Sequence, residues 1–358
     1  MSEYDLTIDK SNMYKVILEF PKHIQDSFNF FKNNSNLDKS LYKDINSILI
    51  LGMGGSAITG LLISQILKRS PCPAVYVNQN YSIPKWVNDK TLVIACSYSG
   101  NTEETILACT KCLEKTSKVI GFSTGGKLFE FLKEMDYNQF VKLPKGLQPR
   151  ASIGYSLPLM LLLLNKISFN KELTHITQLI LNELLDDMND LIKRLEKYLV
   201  PNTSNPAYTL ATKIYNKNPI IYAEDGIPNT IGYRFKCQLA ENSKILAFNN
   251  SIPEMNHNEL EAFTKNFNKN NNFVVVWIEN CLSIDNEARI KIISKILENN
   301  GVEQYYLNIS TKPSLGGEIS PIWSTGVNLV DWISFHCAIL NKVDPSIIPN
   351  INELKKSL

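Results

Sequence analysis

The chain has 358 residues, 44% of them hydrophobic and 20% charged, which fits two domains of ordinary size and excludes disorder. A formal net charge of +2, with no run of Lys or Arg, excludes a nucleic-acid footprint. The polar, acidic start Met1-Ser2-Glu3-Tyr4-Asp5 is not a signal-peptide pattern, and the longest apolar run, at 157–164, is short of the roughly 20 residues that span a bilayer, so a cytoplasmic protein with reduced cysteines is expected.

Residues 1–45 read as mostly helical, with Phe20, Phe28, Phe30 and Phe31 suited to packing. Apolar runs at 48–51, 74–77, 92–96 and 118–122, and a weaker one at 140–143, then alternate with helical stretches. Continuous apolar strands separated by helices predict a parallel sheet covered on both faces. Cys109 and Cys112 form the only CxxC, inside a predicted helix and without a second pair. They read as two small core residues, not as a zinc or redox motif.

Apolar residues at Ile176, Leu179, Ile180, Leu184, Met188, Leu191, Ile192, Leu195 and Leu199 are spaced by three, four and one. That spacing predicts one long amphipathic helix over 173–200, stopped by Pro201 and Pro206. A second strand series follows at 220–223, 245–248, 273–278 and 305–309. The expected fold is α/β: two doubly wound parallel-sheet domains joined by a long helix, with domains at 1–165 and 206–358 and a connector at 166–205.

Between the strand at 92–96 and the helix from Glu103 lies Ser97-Tyr98-Ser99-Gly100-Asn101-Thr102. Hydroxyls and a glycine thus stand at a helix N-terminus, where unpaired N–H groups and the positive end of the helix dipole favour an anion. Ser97, Ser99 and Thr102 can donate to phosphate oxygens. Ordinary helix capping is the alternative. A second loop, Gly52-Met53-Gly54-Gly55-Ser56-Ala57, follows the first strand. It meets only the looser GxGxxA form of the dinucleotide fingerprint, no acid ends the next strand at Asn78, and it lacks the Gly-Lys-Ser/Thr of a P-loop. Two polar glycine turns on the first and third strands fit a switch-point crevice.

Gly54-Gly55-Ser56 and the run from Ser97 to Thr105 resemble the paired signatures of sugar isomerase (SIS) domains. No matching loop follows the strand at 273–278, so one phosphate site is expected, in the first domain. In the second half, Glu241 stands where a helix hands over to a strand, a usual place for a functional carboxylate, though also for a solvated helix end. His257 lies in a polar stretch. Glu254 and His257 form a Glu-x-x-His pair, but no second pair completes a metal site.

Arg234, Glu241-Asn242 and Pro253-Glu254-Met255-Asn256-His257-Asn258-Glu259, with Pro149-Arg150-Ala151-Ser152 and the C-terminal Asp344-Pro345-Ser346 and Ile351-Asn352-Glu353-Leu354-Lys355, resemble the bifunctional phosphoglucose/phosphomannose isomerase family. The resemblance covers essentially the whole chain. It implies an aldose–ketose isomerase that needs no cofactor and no metal. Glu241 would be the base moving a proton between C2 and C1, and Arg150 would stabilise the enediolate. His257 and Lys355 (or its neighbour Lys356) would assist ring opening. Gly54, Gly55, Ser56, Ser97, Ser99 and Thr102 would hold the phosphate. The resemblance also implies a homodimer in which His257 reaches the partner's active site. Two rivals use the same loops: an amino-sugar phosphate isomerase or deaminase, and a non-enzymatic sugar-phosphate sensor.

Overall fold

The apolar runs become parallel strands. A computed structural model describes residues 4–68, 70–186, 188–267, 272–279, 284–309 and 319–357. By contacts the chain divides into two units, Glu19–Met188, and Met1–Leu18 with Asn189–Leu358.

The sheet of the first unit holds β1 (Ser35–Asn36), β2 (Ser47–Leu51), β3 (Ala74–Asn78), β4 (Thr91–Ser97), β5 (Val119–Ser123) and β6 (Phe140–Lys142). Their order is β1-β6-β5-β4-β2-β3. All neighbours are parallel except β1 and β6. Every residue of β4 is buried, as an apolar strand covered on both faces must be. On one face Leu49, Leu51, Val93 and Ala95 pack with Ala108, Cys109, Cys112 and Leu128. Burial pushes the thiols of Cys109 and Cys112 up to about 12, so both are inert core residues, as the sequence suggests.

The other sheet holds β7 (Asn218–Glu224), β8 (Phe248–Ile252), β9 (Phe273–Glu279) and β10 (Gln304–Asn308). It is parallel throughout, in the order β10-β9-β7-β8. The strand expected at 245–248 starts three residues later. A single π-helical turn, Leu239–Ser243, and a left-handed Lys244 precede it. Pairing with β7 therefore begins only at Phe248, while Ile245 and Ala247 are buried without joining the sheet. β8 is an edge strand with Asn249, Asn250 and Ser251 at its centre. An apolar-run criterion cannot find such a strand.

The helix expected over 173–200 is described as Lys171–Asp186 and Met188–Leu199, with residue 187 outside the described residues. The unit boundary falls at Met188. The apolar period runs through both helices, but Ile180 and Leu184 belong to one unit and Leu191 and Leu195 to the other. The N-terminal helix Met13–Leu18, expected in the first domain, groups instead with the second half of the chain. Tyr14 stands edge-on to Trp332 at 5.2 Å between ring centres, and Asn328 donates to the carbonyl of Ile17 at 3.4 Å.

Candidate active site

In the first sheet β2 lies between β3 and β4, so the winding reverses there. The loops leaving the carboxyl ends of β2 and β4 flank the resulting crevice, the usual ligand position of an open α/β sheet. One loop opens the helix Gly54–Leu67 and the other the helix Glu103–Leu113.

Hydroxyls shape these loops. Ser56 Oγ accepts from the N–H of Tyr98 at 3.1 Å, tying the first loop to the second. Ser97 is wholly buried; its Oγ accepts from Gly100 N at 3.1 Å and bonds Thr102 Oγ1 at 2.8 Å. Ser99 is exposed, and its Oγ accepts from Asn101 N at 3.2 Å. Thr102 is half-buried and stands at the N-cap, yet its side chain does not cap the helix. Met53, at the N-cap of Gly54–Leu67, does not cap either. Ordinary capping is therefore a poor account of the loop. The first-turn N–H groups of both helices, with the dipole behind them, suit an anion.

A third loop joins them, one that sequence reasoning missed. Ser123-Thr124-Gly125-Gly126 connects β5 to the helix Gly126–Glu134. Thr124 N donates to Tyr98 O at 3.1 Å, Leu128 N to Gly100 O at 2.8 Å and Lys127 N to Asn101 Oδ1 at 3.1 Å. Gly100 is left-handed (φ 72°), and a Cβ there would lie 1.8 Å from Gly125 O. Only glycine fits. The available signal was a polar glycine turn directly after the strand at 118–122.

Arg150 belongs to the same unit. It sits on the turn Pro149–Ala151 and is 3% exposed. A Cβ on Gly55 would lie 2.7 Å from Pro149 O, so Gly55 admits the arginine segment against the first loop. The Tyr98 hydroxyl holds the approach to that segment, donating to Pro144 O at 2.7 Å and accepting from Leu147 N at 3.0 Å.

Glu241, His257 and Lys355 belong to the other unit. The helix Ile227–Gln238 is fixed by a buried cluster: Arg234 donates to Asp331 through Nε at 3.0 Å and Nη2 at 2.8 Å, and Gln238 Nε2 adds a bond at 2.7 Å. The helix runs on into the π turn that carries Glu241, and π turns frequently occur at functional positions. Asn242 Nδ2 donates to Ser334 Oγ at 2.9 Å and Ser243 Oγ to Ser334 O at 2.8 Å, anchoring the turn on the helix Ile319–Leu340. Glu241 is half-buried and lines a cavity of about 370 Å³ with Lys244, Leu246 and the 347–351 segment.

His257 is exposed on the turn Glu254–His257, which is anchored by buried Met255. Lys355 and Lys356 are exposed on the helix Pro349–Ser357. The Glu254 carboxylate of the Glu-x-x-His pair accepts from Asn258 Nδ2 at 2.9 Å. Among the described residues no group of three or more His, Cys, Asp or Glu side chains is placed to hold a metal ion, and no helix is long and apolar enough to cross a membrane.

Residues 41–127 match the model of the SIS domain, and residues 203–358 match that of the bacterial phospho-glucose isomerase C-terminal SIS domain. A bifunctional phosphoglucose/phosphomannose isomerase of Caldicellulosiruptor bescii is 35% identical over 350 residues, covering 97% of this chain and 98% of that one. The chain belongs to the bifunctional phosphoglucose/phosphomannose isomerase family. A D-glucosamine-6-phosphate 4-epimerase of Sulfolobus acidocaldarius is also similar, at 31% over 70% of this chain and 74% of its own. The C-terminal domain of glucosamine-fructose-6-phosphate aminotransferase from Francisella tularensis superimposes with a TM-score of 0.72 at 16% identity, covering 94% of this chain and 98% of that chain. It shares the fold of two SIS domains. In this isomerase family member the SIS match spans Gly54 to Thr102, the C-terminal match spans Glu241, His257 and Lys355, and Arg150 falls between them.

Proposed function

We propose that the chain is a glucose-6-phosphate and mannose-6-phosphate isomerase, each aldose being interconverted with fructose 6-phosphate. The observation that carries this reading is the 35% identity to a bifunctional isomerase along nearly the whole of both chains.

The loops after β2 and β4 hold the phosphate through first-turn N–H groups and the hydroxyls of Ser99 and Thr102, and the loop after β5 braces the second of them. Ser56 and Ser97 shape the loops, and Gly54 and Gly55 keep the backbone open to the anion and to Arg150. Glu241 removes the C2 proton and returns it to C1, while the O2 proton passes to O1. Arg150 stabilises the enediolate, its burial strengthening that interaction. His257 and Lys355 move protons between the C1 hydroxyl and the ring oxygen to open the sugar. Rotation about C2–C3 of the enediol lets one base serve both epimers. No metal or redox cofactor takes part.

The working form is a homodimer in which His257 reaches the partner's active site; its exposure in the single chain supports this. The thiols of Cys72, Cys96, Cys109, Cys112, Cys237 and Cys337 are free, which suits a reducing cytoplasm.

A coupled assay with glucose 6-phosphate and mannose 6-phosphate side by side tests the assignment. Turnover of both supports it; binding of fructose 6-phosphate without turnover would leave a sensor. The epimerase relative favours a second reading, an enzyme of amino-sugar phosphates, but its similarity spans only 70% of this chain. Turnover of glucosamine 6-phosphate with none of the neutral sugars would select it.

A further inference from the structure

The turn that carries Glu241 closes at Lys244, a non-glycine residue in the left-handed region (φ 62°, ψ 30°) whose N–H donates to Leu239 O. Glycine or asparagine takes that conformation more readily. The side chain explains the lysine. Its Nζ donates to Glu241 O at 2.6 Å, Ile347 O at 2.7 Å and Asp344 O at 3.2 Å, with Asn242 O at 3.4 Å. Two of these oxygens belong to the Glu241 turn. The other two belong to the segment that leads into the helix Pro349–Ser357, which carries Lys355.

An ammonium has three N–H donors and makes charge-assisted bonds. Carbonyls at a helix end are otherwise short of partners and form the negative pole of its dipole. All four acceptors are main-chain oxygens, so the bonds fix where the backbone of residue 241 lies relative to residues 344–347. Glu241, Lys244 and Ile347 line one cavity together.

We propose that Lys244 is a positioning residue for the isomerisation: its ammonium clamps the Glu241 turn to the 344–347 segment and thereby aims the Glu241 carboxylate. The proposal rests on the reading of Glu241 as the base. The test measures kcat, KM and the primary isotope effect with glucose 6-phosphate deuterated at C2, in Lys244→Met, Lys244→Arg and Glu241→Gln. A misaimed base slows proton abstraction. Lys244→Met should lower kcat about 10- to 100-fold, change KM less than about threefold and raise the isotope effect on kcat. Lys244→Arg, which keeps the charge but displaces the donors, should recover part of kcat. Should Lys244→Met fail to fold, the isotope effect of Lys244→Arg decides, a raised value supporting the proposal and a wild-type value overturning it. A lower kcat with an unchanged isotope effect in Lys244→Met means only fewer active molecules and overturns the positioning role. Wild-type kinetics in Lys244→Met, beside an inactive Glu241→Gln, overturn that role alone. A fully active Glu241→Gln overturns the base and the positioning role together.

Discussion

Gly55 and Arg150 are in main-chain contact: a Cβ on Gly55 would lie 3.0 Å from Arg150 Cα and 2.7 Å from the carbonyl oxygen of Pro149. The glycine of the proposed phosphate loop therefore also sets how closely the arginine segment approaches. Gly55→Ala must push residues 149–150 outward. Because Arg150 is assigned to the enediolate and not to the phosphate, kcat should fall about 10- to 100-fold while KM changes little. Steady-state kinetics check this; a raised KM at unchanged kcat would contradict it.

The proposed phosphate contacts predict the opposite pattern. Ser99 is exposed and Thr102 half-buried at the mouth of the loop, whereas Ser97 is buried and bonded within it. A hydrogen bond to a charged group contributes about 1.5–3 kcal/mol, so losing two of them in Ser99→Ala with Thr102→Ala should raise KM by about 10²- to 10⁴-fold and change kcat far less. Ser97→Ala should lower thermal stability instead. Kinetics and melting curves on the two variants separate these outcomes.

His336 predicts a pH dependence of stability. It is wholly buried; its Nε2–H donates to Tyr198 O at 3.0 Å, so the neutral ring accepts at Nδ1 from the Tyr4 hydroxyl. Burial lowers its pKa to about 4, against about 6.5 in an unfolded chain. As pH falls through 6.5 the unfolded chain takes up the proton first, so the folded state loses stability. That loss continues down to about 4 and then levels off. The shift corresponds to about 3 kcal/mol. The stability advantage of the wild type over His336→Gln should therefore shrink by about that amount between pH 7 and pH 4, in denaturant melts at each pH. A gap independent of pH would contradict the buried neutral histidine.

Much of this fold was legible because its signals are local. The runs at 48–51, 92–96 and 273–278 form β2, β4 and β9 almost residue for residue, since a strand buried on both faces is apolar throughout. β8 was misplaced because Asn249, Asn250 and Ser251 form a polar edge strand. The third loop was missed because Ser123 to Gly126 acts only through contacts with residues 98–101. The placement of Met13–Leu18 was hidden because an amphipathic period names a buried face but not its partner. The roles proposed for Glu241 and Lys244 depend on a π turn, which carries no periodic signature, so family resemblance and not spacing pointed to the carboxylate.

The central claim is that Glu241 moves the proton between C2 and C1, and Glu241→Gln tests it most directly. Isomerisation of fructose 6-phosphate should fall by about 10²- to 10⁴-fold, the range that general-base catalysis supplies, and exchange of the C1 and C2 hydrogens with deuterated water should fall with it, while fructose 6-phosphate still binds. Isomerisation and exchange within a few-fold of the wild type, at equal binding, would contradict the account.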